Sequence, residues 1–384
     1  MKVAVLGYGT VGAGVYSMLS DASGMEAGPV LVRPGKAVES FMVSDAALIF
    51  GNPTVDAVVE TLGGLDPAYS YGMRTLEAGK HFITANKAMV AAHGLELAAL
   101  AREKGAAFLF SAACGGGVPF LHNLALSAET DRIETVSGIL NGTTNYMLDA
   151  MQRRSLSYGD ALREAQSLGY AESDPTADVS GLDALRKMQL ACAVAFGVLP
   201  QSGMLCEGME HFTAADVEDI QSRGLVCRLM ARGSRAGESV SAYVEPVLFP
   251  RAAPESSVFT NNNMARYTGK RCGSIVLMGQ GAGRFPTASA VLRDLSAAQQ
   301  GARSMFPENC RAAEADNREA VHSYYIRTGG FAAVRLSLRS VLAQGEVVRA
   351  VTEPMSAEKM HALAQNIRKD GNDLFFAALE EKLC

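Results

Sequence analysis

The first twenty residues constrain the fold more than any other stretch of this chain. Lys2-Val-Ala-Val-Leu6 has the apolar character of a buried strand and runs directly into Gly7-Tyr-Gly9-Thr-Val-Gly12, after which Val11, Val15, Met18 and Leu19 recur at helical spacing. A strand that turns through glycines into a helix is the setting in which a Gly-x-Gly-x-x-Gly run carries meaning. The first glycine permits the tight turn, the second lets backbone approach a pyrophosphate, and the third lets the helix close on the strand, with the phosphates at the helix N-terminus. Gly7, Tyr8, Gly9, Thr10, Val11 and Gly12 are therefore expected to bind a dinucleotide, although a purely structural glycine turn has the same letters.

Further strands are expected at 30–32, 57–60, 81–84 and 107–110, alternating with helical stretches near 67–78 and 94–104. That alternation predicts an α/β fold with a Rossmann-type doubly wound parallel sheet. Arg33 follows the second strand, where an NAD-selective site usually carries an acidic residue for the ribose diol. An arginine there can take a 2'-phosphate, stack on adenine or simply lie in solvent; the first reading favours NADP and the others leave NAD open.

With 384 residues the chain has length for two or three domains, and 48% hydrophobic residues fill their cores. Apolar runs are too short to span a bilayer and no signal-peptide pattern precedes the first strand, so no membrane association and a cytoplasmic location are expected. Seven cysteines without a Cys-x-x-Cys pair argue against a disulfide framework or a zinc site. A net charge of -5 offers no basic stripe for nucleic acid, which points to a small-molecule partner.

The stretch Gly169-Tyr-Ala-Glu172-Ser-Asp174-Pro-Thr-Ala-Asp178-Val-Ser-Gly181-Leu-Asp183-Ala-Leu-Arg186-Lys187 bears most on chemistry. Glu172, Asp174 and Asp178 surround a turn enforced by Pro175, while Asp183 and Lys187, four apart, share one helix face. Such a cluster of carboxylates is costly unless it holds a cation. A solvated turn followed by a surface helix would give similar letters.

With Val58-Val-Glu-Thr-Leu-Gly-Gly64, Thr84-Ala-Asn86-Lys87-Ala88, Leu140-Asn-Gly-Thr-Thr-Asn145 and Gly279-Gln-Gly-Ala-Gly283-Arg-Phe-Pro-Thr287-Ala-Ser-Ala290 added, the chain resembles the homoserine dehydrogenase family from Lys2 to about Leu295. The resemblance implies NAD(P)-dependent interconversion of L-homoserine and L-aspartate 4-semialdehyde. It also implies Lys187 as general acid/base, Lys87 beside nicotinamide and substrate, and Asp183 with them. Glu172, Asp178, Asp183 and Thr143 would bind substrate, and Thr61, Lys87, Gly281 and Gly283 would join the glycine turn and Arg33 on the cofactor. A lysine works near neutral pH when burial or a second cation lowers its pKa, and two converging lysines would supply that cation. Thr143 or Thr144 would also serve as a plain cap for a helix opening at Tyr146. The alternatives are a Rossmann dehydrogenase of another small hydroxy amino acid, or a dinucleotide-sensing relative that has lost turnover.

The family's Na+ or K+ site is implied at the backbone carbonyls of Cys114, Gly116 and Val118, but Ser111 stands where the family commonly has a glutamate, which should weaken it. Cys114 also invites a nucleophile reading, although no suitably spaced histidine supports it. The expected organisation is a dinucleotide domain at 1–112 completed by 284–300, where a helix should start near Pro286 and run over 288–295. An α+β substrate-binding and dimerisation domain at 113–283, a linker at 301–320 and a small, degenerate ACT-like α+β unit at 321–384 follow. Strands at 240–244 and 273–277 would belong to the sheet through which the family forms a homodimer or a higher homo-oligomer. In the tail, Phe331, Val334, Leu336 and Leu338 need covering, and the catalytic part is expected to turn over without that unit.

Overall fold

A computed structural model describes residues 1–330 and 335–380, so Phe331, Val334 and Cys384 lie outside the described residues. Its first layer is a six-stranded sheet of β1 (Lys2–Leu6), β2 (Glu26–Leu31), β3 (Met42–Val43), β4 (Ala57–Glu60), β5 (His81–Thr84) and β6 (Phe108–Leu109). The spatial order is β3-β2-β1-β4-β5-β6 and every pairing is parallel. The order reverses between β1 and β4, and the crevice beyond their C-terminal ends is where an open α/β sheet binds its ligand. Both the Gly7–Gly12 turn and the Thr61–Gly64 loop leave the sheet at that crevice, where Thr61 Oγ1 donates to the Leu6 carbonyl at 3.0 Å. Helices α1 (Thr10–Leu19), α2 (Ala47–Phe50), α3 (Ala68–Glu77) and α4 (Lys87–Lys104) connect the strands. The second strand begins earlier than periodicity suggested because Glu26 and Ala27 pair with Lys2 and Val3 despite their polar or small side chains.

The middle of the chain supplies α5 (Phe120–Thr130), β7 (Ile133–Ile139), α6 (Gly142–Arg154), α7 (Tyr158–Ser167), α8 (Thr176–Val179) and α9 (Leu182–Phe196). After β8 (Val198–Ser202), β9 (Leu205–Cys206) and α10 (Ala214–Ser222) comes a long hairpin of β10 (Leu225–Ala236) and β11 (Ser239–Pro250), then β12 (Asn262–Gly269) and β13 (Gly273–Gln280). Helix α9, apolar on most of its circumference, packs over β7, β10 and β11, and its Asp183, Arg186 and Lys187 line the cleft between the two sheets. Helix α11 (Arg284–Gln299) then returns to α1, where a Cβ on Gly14 would lie 2.9 Å from Arg284 Cγ. It starts two residues before the expected Pro286, which thus falls inside its first turn, where a missing N–H costs nothing.

Two expectations about the tail need correction. Residues 301–320 are not a free linker: β14 (Arg311–Glu314) pairs in parallel with β8, and Asn317 bonds the backbone of Ala242 and Gly203. Nor does the tail stand apart. Apart from the short pair β15 (Val321–His322) and β19 (Met355–Ser356), strands β16 (Tyr324–Gly329), β17 (Leu338–Ala343), β18 (Val347–Thr352) and β20 (Leu374–Leu379) extend the second sheet, because β20 adds to β11 at Val247↔Ala378 and Leu248↔Leu379. Their order, β20-β16-β18-β17, is fourth-first-third-second, that of a split βαβ unit. The helix Ala357–Lys369 and the buried Leu336 belong to the same apolar cluster, against which Leu338 packs. Ion pairs tie this unit to the middle of the chain, with Arg327 on the fully buried Asp216 at 2.7 Å and Arg368 on Glu207 at 2.7 Å. Ending the chain near residue 300 would leave those acids unpaired and expose the edge of β11, so the tail is an integral part of the sheet.

Candidate active site between the two sheets

Gly181 turns the chain into α9 with φ +84, and a Cβ there would lie 3.0 Å from Val244 Cγ1 and 3.1 Å from Cys206 Sγ. Glycine thus both permits the left-handed turn and lets the helix close on β11. Asp183 falls in the first turn, where the helix dipole favours a carboxylate, and Lys187 lies one turn further along. Lys187 Nζ donates to Asp183 Oδ2 at 2.6 Å and to the Leu140 carbonyl at 2.6 Å. Lys87 is the first residue of α4, after Asn86 has capped the helix by accepting from Met89 N at 3.1 Å. Its Nζ lies 3.0 Å from Asp183 Oδ1. One carboxylate therefore bridges two amines, one from each half of the molecule.

Asn141 organises the rest. Its Nδ2 donates to Asp178 Oδ1 at 2.7 Å and to Asp183 Oδ2 at 2.9 Å, and its Oδ1 accepts from Thr144 N at 2.9 Å. The cap of α6 is thus Asn141 rather than either threonine, and the helix opens at Gly142 rather than Tyr146. Thr143 Oγ1 is left to donate to the Tyr170 carbonyl at 2.5 Å, 3.2 Å from Asp178 Oδ2. Asp174 is used locally, taking the Thr176 backbone and hydroxyl at 3.1 and 2.6 Å. Glu172 is exposed. Lys87, Thr143, Glu172, Asp178, Asp183 and Lys187 all line one cleft of about 610 Å³, together with Gly116, Gly281 and Gly283. Gly281 lies tight against Asn263 and Gly116.

The bridge sets the charges. Burial would push the Asp183 carboxyl up, but the ammonium groups of Lys187 and Lys87 outweigh it and hold it well below the usual range. Burial likewise pulls Lys187 down, yet the charge and hydrogen bond of Asp183 reverse this and keep it above an ordinary lysine. The sequence led us to expect a lysine depressed by a neighbouring cation. The carboxylate standing between the two amines is why the shift goes the other way. Burial drives the Cys114 thiol up to about 12, and its Sγ lies 3.8 Å from the Lys187 carbonyl, so no thiolate nucleophile forms there.

Gly7, Tyr8, Gly9, Thr10, Val11, Gly12, Thr61 and Arg33 sit outside this cleft, at the C-terminal ends of β1, β4 and β2. The fit to a dinucleotide is direct. A Cβ on Gly12 would lie 2.2 Å from the Gly7 carbonyl oxygen, one on Gly9 would meet nothing within 4 Å, and no side chain caps α1, leaving its first N–H groups for an anion. Arg33 and Lys36 are exposed beyond β2. At the implied cation site, Phe120 N already donates to the Val118 carbonyl at 2.7 Å. Ser111 Oγ and N bond the buried Asp294 at 2.5 and 2.8 Å, and burial raises that carboxyl to about 7. No cluster of three or more histidine, cysteine or acidic side chains suited to a metal occurs among the described residues.

Two contributors escaped sequence reasoning. Asn141 joins Asp178 and Asp183, and its place at a strand-to-helix junction, where asparagine caps well, was the available signal. Glu60, fully buried at the end of β4, accepts from Leu62 N, Gly63 N and Thr84 Oγ1 at 2.6, 3.1 and 2.5 Å and so shapes the loop at the crevice; alternation marks it only as one more strand residue.

Two family models match the chain: homoserine dehydrogenase, NAD binding domain, over residues 7–111, and homoserine dehydrogenase over residues 119–296. A homoserine dehydrogenase of Corynebacterium glutamicum is 38% identical over 314 residues, covering 76% of this chain and 70% of the relative. The crystal structure of a homoserine dehydrogenase from Thiobacillus denitrificans superposes with a TM-score of 0.87 at 29% identity, over 99% of this chain and 98% of the other. A hyperthermophilic archaeal homoserine dehydrogenase in complex with NADPH shares the fold at a TM-score of 0.67 and 24% identity, over 81% of this chain and 99% of the other. With the glycine turn, the nicotinamide-dinucleotide fold and the bridged lysines all in place, the chain belongs to the homoserine dehydrogenase family.

Proposed function

We propose that this chain interconverts L-homoserine and L-aspartate 4-semialdehyde, in the biosynthesis of threonine, methionine and isoleucine. The observation that carries the reading is the Lys87–Asp183–Lys187 bridge, set in a cleft whose other polar walls are Asn141, Thr143, Glu172 and Asp178. When bound, the nicotinamide supplies or accepts the hydride. Lys187, held as an ammonium by Asp183, is suited to give a proton to the aldehyde oxygen as it becomes an alkoxide. In the opposite direction the same amine takes the alcohol proton only after it has given its own proton to solvent, which requires it to part from Asp183 first. Lys87 adds positive charge on the other side of that carboxylate. Glu172 and Asp178 supply negative charge for the substrate ammonium, since Asp183 is already neutralised by two lysines.

The glycine turn, Thr61, Gly281 and Gly283 would hold the dinucleotide. Arg33 with Lys36 favours the 2'-phosphate of NADP, and no carboxylate ends β2 to favour NAD. A Na+ or K+ at Cys114, Gly116 and Val118 would rest on carbonyls alone, because Ser111 is committed to Asp294. We read 1–112 with 284–300 as the cofactor domain, 113–283 as the substrate and dimerisation domain and 321–384 as a unit that completes its sheet. The exposed Val276 and Met278 on edge strand β13 suit an interface with a second copy. No helix among the described residues is long and apolar enough to cross a membrane, and the reading places the enzyme in the cytoplasm. Steady-state oxidation of L-homoserine with NAD and NADP side by side tests the proposal. Turnover of another hydroxy amino acid but not homoserine would replace it, and binding of dinucleotide without turnover would show a sensing protein.

A further inference from the structure

A second cavity, of about 630 Å³, lies away from the catalytic cleft and shares no lining residue with it. Its walls come from the start of β7, the end of α9, the end of β10, the β12–β13 turn and the loop after α11, and four of its residues are basic: Arg132, Arg235, Lys270 and Arg271. Only Glu129 and Asp131 among the lining residues are acidic. Asp131 is already used, because its carboxylate accepts the backbone N–H groups of Arg132, Arg271 and Cys272 at 2.8, 2.9 and 2.8 Å. Glu129 is exposed and reaches none of the four cations within ion-pair distance.

Arg235 makes the case stronger. Its guanidinium donates to the Phe196 carbonyl at the end of α9 and stands 5.6 Å over the Phe196 ring, with no carboxylate at ion-pair distance among the described residues. Burial, and then the neighbouring charge of Arg132, lower its pKa; the charge of Glu238 offsets part of this and Arg311 adds to the repulsion. Capping a helix C-terminus accounts for one arginine. It does not account for three further cations from two other turns, Arg132 before β7 and Lys270 with Arg271 between β12 and β13, that line the same concavity without an ion-pair partner among the described residues.

We propose that this cavity binds a small anion carrying at least two negative oxygens, a phosphate or a polycarboxylate, through Arg132, Arg235, Lys270 and Arg271. The site is separate from catalysis and does not depend on the substrate assigned above. The test is calorimetric titration of the full-length protein with inorganic phosphate and, in a second arm, citrate, at constant ionic strength. The Gly7–Gly12 turn is a competing anion site, so each titration is repeated with NADP in excess. We expect saturable binding of one anion per chain that survives NADP. It should weaken at least about tenfold in Arg132→Gln/Lys270→Gln/Arg271→Gln, three exposed positions whose loss leaves melting and homoserine kinetics unchanged. The arm that saturates at the lower concentration names the ligand class. Binding that vanishes with NADP, that is identical in the triple variant, or that never saturates through tens of millimolar overturns the proposal.

Discussion

Replacing Asp183 by asparagine keeps the shape of the bridge and removes its charge, leaving two buried or half-buried amines facing one another. The lost contacts are 2.6 Å to Lys187 and 3.0 Å to Lys87, around a carboxylate that is 9% exposed. At an effective dielectric of about 20 each contact is worth roughly 5–6 kcal/mol of gross attraction, and much of that offsets desolvation. Removing one partner of a buried pair costs about 3–5 kcal/mol when the other stays charged. Lys187 has an alternative, which is to lose its proton. From an ordinary value of 10.5, shedding it at pH 7 costs about 5 kcal/mol, and each pH unit upward lowers that cost by about 1.4 kcal/mol.

The sign distinguishes variant from parent. In the parent the Lys187 pKa is raised, so its contribution is complete below the unfolded value and is lost as pH rises through the folded one; the lowered pKa of Asp183 gives a contribution present above pH 3.8 and lost on acidification. In Asp183→Asn the Lys187 shift reverses, and stability should rise with pH up to the unfolded lysine value. Urea unfolding at pH 7 and at pH 9 reads this directly. We expect a loss of about 3–5 kcal/mol at pH 7 that shrinks by about 1 kcal/mol or more at pH 9. A loss below about 1 kcal/mol, the same at both pH values, would refute the reasoning, because the bridge would then behave as a solvent-screened surface pair.

Other perturbations separate the remaining roles. Lys187→Ala should cost about 10²–10⁴-fold in kcat with dinucleotide affinity nearly intact, as measured by steady-state rates beside a cofactor titration; an unchanged kcat would remove Lys187 from proton transfer. Glu172→Gln should raise KM for homoserine more than it lowers kcat, and an effect on kcat alone would give Glu172 another task. Arg33→Ala should raise KM for NADP more than for NAD, whereas equal changes would assign Arg33 to adenine stacking or to structure. Asp294 has a folded pKa raised to about 7 from 3.8, so it lowers stability as pH climbs between those values. Asp294→Asn should remove a loss of about 1.4 kcal/mol per pH unit over that window, seen as a flatter urea midpoint between pH 4 and 7; a slope identical to the parent's would mean the carboxyl is ionised throughout.

The glycine turn, the alternation behind it and the Asp183–Lys187 spacing are local facts, set by backbone sterics and helical period, and the sequence by itself determined them. It therefore determined the parallel sheet, the glycine turn at its crevice and the helix that carries Asp183 and Lys187. It also placed strands 57–60 and 81–84 where they are found, because these are short apolar runs bounded by turn residues. What lies on the far side of Asp183 was decided by tertiary structure. Lys87 and Asp183 are far apart in sequence, and only the docking of α4 beside α9 turns two lysines that would repel into two that share one carboxylate. The direction of the Lys187 shift follows from that contact. The commitment of Ser111 to Asp294, far along the chain on the returning helix α11, was likewise decided by tertiary structure. The tail is the clearest case. Polar letters at 314–320 read as a linker, yet β20 completes the sheet of the catalytic part, since parallel pairing to β11 depends on an unfilled strand edge in space and leaves no periodic mark in the sequence.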